Sequence, residues 1–134
     1  MNKISLFLFA LLIAALAFFF LHERDGAKEF DVLIRDQETS FCVPIDSAGT
    51  TWQRALSFLE DRKRMISGGT MVVNDSLIRI PYFNGFKKGN SLLVKKQIVG
   101  ERACFEISWW YGQHEALYNA QELSLYMQKG WSRY

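Results

Sequence analysis

Hydrophobic residues are arranged along this chain in two unlike ways. From Ile4 to Leu21 every residue except Ser5 is Ala, Ile, Leu or Phe. After Leu21 the apolar positions come in short stretches divided by polar residues and glycines, the pattern of a small folded domain. Residues 22–29 are polar, include Gly26, and read as a short linker. Phe30–Arg35 is a strand candidate and Asp36–Thr39 a turn. Ser40–Ile45 follows as a strand with Phe41, Val43 and Ile45 on one face. Pro44 has no amide hydrogen, which sets this strand at a sheet edge or ends it there.

A helix is predicted next. Thr50 and Gln53 fit a capping box, and Trp52, Ala55, Leu56 and Leu59 form an amphipathic stripe. Arg62, Lys63 and Arg64 suit its C-terminal turns, as a solvated end or as a partner patch, and Gly68-Gly69 stops it. Thr70–Val73 and Leu77–Phe83 read as strands around a turn at Asn74-Asp75-Ser76, with Ile78, Ile80 and Tyr82 on one face. A loop bracketed by Asn84-Gly85 and Lys88-Gly89-Asn90 leads to strand Ser91–Val99. Gly100-Glu101 turns the chain into the strongest strand, Arg102–Tyr111. There Phe105, Ile107, Trp109 and Tyr111 alternate with Cys104, Glu106, Ser108 and Trp110. His114–Met127 is a second helix, with Ala116, Ala120, Leu123 and Met127 as its stripe and Gly130 as its stop. The order is β-β-α-β-β-β-β-α. The expected fold class is α+β: an N-terminal transmembrane helix, then a two-layer domain of mostly antiparallel sheet with one or two helices over residues 30–134.

As a helix, Ile4–Leu21 would be about 27 Å long against a hydrocarbon core of about 30 Å. A signal anchor over residues 1–21 is favoured. Cleavage at Ala15-Leu16-Ala17, releasing a secreted protein, is the alternative. Lys3 precedes the segment with no acid, whereas His22-Glu23-Arg24-Asp25 follows it in balance. The positive-inside rule then keeps the N-terminus in the cytoplasm and exports the domain. In a bacterium that means a single pass through the inner membrane and a periplasmic domain; in a eukaryote, the ER lumen or cell exterior. Asn74-Asp75-Ser76 fits the glycosylation pattern, one that arises easily by chance.

Composition narrows the function classes. With 16 Lys+Arg against 14 Asp+Glu in 134 residues, the net charge of +2 makes no electrostatic case for nucleic acid. Cys42 and Cys104 both lie beyond the apolar segment. Paired, they would close a loop of about 62 residues and add roughly 4 kcal/mol in the chain-entropy model. Two separate buried thiols are the other reading. If the aromatic and aliphatic faces of the two cysteine strands form the core, both sulfurs point away from it on one side of one sheet, which requires Cα atoms within about 7 Å.

No catalytic set stands out, and neither cofactor nor metal is called for. His22 abuts the anchor. His114-Glu115 opens a zincin-like helix, but Tyr118 occupies the place of the second histidine. There is no G-x-S-x-G elbow, Gly68-Gly69-Thr70 lacks phosphate-loop spacing, and Glu60 and Asp61 are helix neighbours that do not face each other. The aromatics say more. Trp109 and Trp110 are adjacent in a strand and leave on opposite faces, so one core cannot hold both. Trp110, with Tyr111, Glu106 and Ser108, makes a candidate partner-binding patch. The alternative is that the C-terminal segment covers this second face.

The layout of basic start, single anchor and small two-cysteine domain is similar to that of anchored immunity proteins, which neutralise envelope-acting toxins such as colicin M. The resemblance is one of organisation, and no residue role is carried over. It implies a protein partner in the periplasm. An accessory subunit of an envelope or secretion complex is the second expectation, since Ala10, Ala14 and Ala17 share a helix face. A small cell-wall enzyme is the third.

Overall fold

A computed structural model of the chain describes residues 2–62, 71–80 and 90–131. The chain divides after Leu33, with a compact unit from Ile34 onward.

Helix α1 runs without interruption over Lys3–Arg35. Its apolar part is long and hydrophobic enough to cross a membrane. The linker expected at 22–29 and the strand expected at 30–35 are both helical. The physical reason is cooperativity. Extending an existing helix needs no new nucleus, and one Gly, at position 26, costs only about 1 kcal/mol. Phe30, Leu33 and Ile34 also fit helical spacing as well as they fit a strand.

In the compact unit, β1 (Ser40–Pro44) leads through a 3-10 turn at Ile45–Ser47 into α2 (Ala48–Asp61). Strands β2 (Val72–Val73), β3 (Leu77–Ile80), β4 (Asn90–Val99), β5 (Arg102–Tyr111) and β6 (His114–Glu115) follow, and α3 (Leu117–Lys129) ends the fold. Among the described residues these strands form one antiparallel sheet in the order β1-β5-β4-β3-β2, with β6 on the far end of β5. The α+β fold read from the sequence is the one present. As expected, β1 is an edge strand and stops at Pro44.

Two hairpins depend on glycine. Gly100 has φ +60° and Gly112 has φ +59°, and neither turn contains a positive-φ residue of another type. A glycine first in a two-residue turn is the type II′ pattern, whose twist matches antiparallel strands. The second hairpin corrects the helix predicted from His114. His114 and Glu115 pair with Tyr111 and Trp110 as β6, so α3 starts only at Leu117. The capping box is a second correction. Thr50 lies inside α2, whose N-cap is Ser47 with no side-chain cap bond. The 3-10 turn winds directly into the helix, and the Ala48 amide donates to Ile45 O, doing part of what a cap does.

Helices α2 and α3 pack together on one sheet face. Trp52, Ala55, Phe58 and Leu59 of α2 and Ala120, Leu123 and Met127 of α3 share a core with Ile78, Ile80, Leu92, Val94, Phe105, Ile107 and Trp109. Phe58 meets Trp109 edge-on and Tyr126 at a tilt. Arg54 Nη1 donates to Met127 O and Gln128 O, satisfying terminal carbonyls of α3, and Gly130 closes that helix at φ +72°. Arg62 lies over the Phe58 ring and pairs with Glu122 at 3.0 Å. It is therefore an inter-helix tie. Lys63, Arg64, Gly68-Gly69 and Thr70 lie outside the described residues, as do Tyr82, Phe83, Asn84-Gly85 and Lys88-Gly89.

Candidate functional site

Alternation along β5 splits the sheet into two unlike faces. Ala103, Phe105, Ile107 and Trp109 are buried under the helices, while Cys104, Glu106, Ser108 and Trp110 point the other way. Register extends this second face across the sheet. Trp110 sits opposite Ser91, Ser108 opposite Leu93, Glu106 opposite Lys95 and Cys104 opposite Gln97. Leu77 and Arg79 continue it on β3, paired with Lys95 and Leu93. Neither α2 nor α3 packs here, since both lie on the opposite face.

The two cysteines lie on this face. Cys42 is directly opposite Cys104 in the ladder, their Cα atoms are 4.0 Å apart, and they form a disulfide. Ile107 N–H donates to Thr39 O and Ile45 N–H to Glu101 O, which makes Cys42 and Cys104 a non-hydrogen-bonded pair, the position where cross-strand side chains come closest. The sulfurs are on the side opposite the core, as the strand alternation predicted. A disulfide fits an oxidising, extracytoplasmic compartment.

Two depressions lie on the open face among the described residues. One, of about 680 Å³, has the disulfide in its floor and Ser40, Lys95, Gln97 and Glu106 around it. The β2–β3 turn forms one wall; Asn74 Oδ1 there accepts from the Ser76 amide. The other, of about 360 Å³, lies among Arg79, Leu93, Ser108 and Trp110.

Of the four residues predicted as a patch, three share this face. Trp110 is 43 % exposed, Glu106 is exposed and Ser108 is half-buried. Tyr111 is 46 % exposed but has the parity of Trp109, so it belongs to the end of the helix-covered side. Helix α3 does not cover Trp110, because it packs beside α2 on the opposite face. Sequence reading missed Arg79 and Leu93. Their alternation with Ile78, Ile80, Leu92 and Val94 was visible, but which neighbours they meet depends on the β3–β4–β5 register. His22 stacks on Phe18 within α1, and His114 is exposed on β6.

The chain matches no protein-family profile, no curated protein and no solved structure.

Proposed function

We propose that the chain is a membrane-anchored protein-binding domain facing the periplasm, and that it acts as an immunity protein against an envelope-acting protein toxin. In this reading α1 holds the chain in the inner membrane with its N-terminus in the cytoplasm. The observation that carries the proposal is Trp110. A tryptophan 43 % exposed on a sheet backed by a packed core is costly to leave in water and pre-organised for a partner. Leu93 and Arg79 beside it add the apolar and cationic contacts that commonly anchor such interfaces.

A photo-crosslinking residue in place of Trp110, in the full chain and its native host, tests the reading. It should capture a protein, and cells lacking the chain should become sensitive to that protein. Protection should return with the full chain and also with its domain on an unrelated membrane helix. Capture of lipid alone, or unchanged sensitivity, contradicts the proposal. The second reading, an accessory subunit of an envelope complex, draws on Ala10, Ala14 and Ala17, which share one face of the continuous helix α1. It predicts that the exchanged helix fails to restore function.

A further inference from the structure

The disulfide lies at the surface of the sheet. Cys42 is exposed and Cys104 half-buried, and both floor the larger depression. The surroundings of the two sulfurs differ. Cys42 belongs to an edge strand, and beyond it no described strand follows. Beyond Cys104 lies β4, with Gln97 directly opposite. Charge does not set the two sulfurs apart: Lys95 stands opposite Glu106 in the same depression, and the Arg102 guanidinium donates to Cys42 O at 2.9 Å.

Thiol–disulfide exchange requires a thiolate to approach one sulfur from the side opposite the leaving sulfur, and its rate depends on access and on the leaving thiolate. At Cys42 that approach comes from the open edge of the sheet. At Cys104 it comes over β4, where Gln97 stands opposite.

We propose that Cys42–Cys104 is a thiol–disulfide exchange site for a protein dithiol of the exported compartment, entered at Cys42 Sγ. The incoming thiolate forms a bond to Cys42 Sγ, the Cys42–Cys104 bond breaks, and Cys104 leaves as a thiolate that takes up a proton. The second thiol of the dithiol, deprotonated, attacks its own sulfur in the mixed disulfide. Cys42 is released as a thiol, and the dithiol ends as a disulfide. Two electrons pass from the dithiol to the cystine, and the reverse sequence closes the bond. The ladder of Ser40–Pro44 on Arg102–Glu106 and the packing of Phe41 and Val43 on the core hold β1 in register while the bond is open. This inference goes beyond the protein-binding proposal and does not depend on Trp110.

The test uses the full chain in detergent micelles, with reduced glutathione as the probe. The reaction is stopped with acid and free thiols are blocked with N-ethylmaleimide. Intact mass should show one glutathione and one maleimide on a molecule of unchanged circular dichroism. Peptide mapping should place glutathione on Cys42 about tenfold more often than on Cys104, because access differs at the two sulfurs. Adducts that form only after urea unfolding, or that fall equally or mainly on Cys104, overturn the proposal.

Discussion

Trp109 and Trp110 are consecutive residues with opposite surroundings. Trp109 is 4 % exposed, its Nε1 donates to Asn90 Oδ1 at 3.0 Å, and Phe58 meets its ring edge-on. Trp110, 43 % exposed, stands among Ser91, Leu93 and Arg79 on the face away from α2 and α3. One step along a strand thus separates a residue that holds the fold from one the fold holds out. Stability is concentrated on the first face. The second carries the disulfide, two depressions and an apolar anchor.

This contrast can be broken at several points. Trp109→Ala opens a cavity against Phe58 and removes the bond to Asn90 Oδ1, so urea unfolding of the full chain in micelles should show a loss of about 3–5 kcal/mol. A loss below about 1 kcal/mol would mean that this face is not the core. Replacing both Cys42 and Cys104 by Ser should cost about 2–4 kcal/mol, mainly by freeing the unfolded chain, and the folded domain should keep its circular dichroism. Collapse of the fold would make the open face part of the core's support. Glu122→Ala removes the 3.0 Å charged hydrogen bond between α3 and Arg62, and the same measurement should show a loss of about 2 kcal/mol. Trp110→Ala should change stability by less than about 0.5 kcal/mol, as expected where little packing is lost.

Much of this two-faced sheet can be read from alternation. Phe105, Ile107 and Trp109 against Cys104, Glu106 and Trp110 define both faces of β5, and Cys42 among Phe41 and Val43 sets β1 in matching phase. The α2 stripe is legible because Trp52, Ala55 and Leu59 recur at helical spacing, although Phe58 packs more deeply than Leu56. The failures share a cause: a local signal lost to a neighbouring element. Residues 22–35 are too few to hold a helix on their own, but the apolar helix ahead of them supplies the nucleus. His114 has good helical residues after it, but Gly112 turns the chain back onto β5 first. The Thr50 cap signal is overtaken by a 3-10 turn that begins the helix earlier. The surroundings of Trp110 could not be read at all, since Arg79 and Leu93 reach it only through strand register.

The central claim is that the open face around Trp110 recognises a protein. The most direct measurement titrates the partner captured at position 110 against the full chain and its Trp110→Ala variant, with urea unfolding of both. The account predicts a Kd raised by about fivefold or more, equivalent to at least about 1 kcal/mol, at an unchanged unfolding midpoint. An unchanged Kd, or a variant that unfolds, would contradict it.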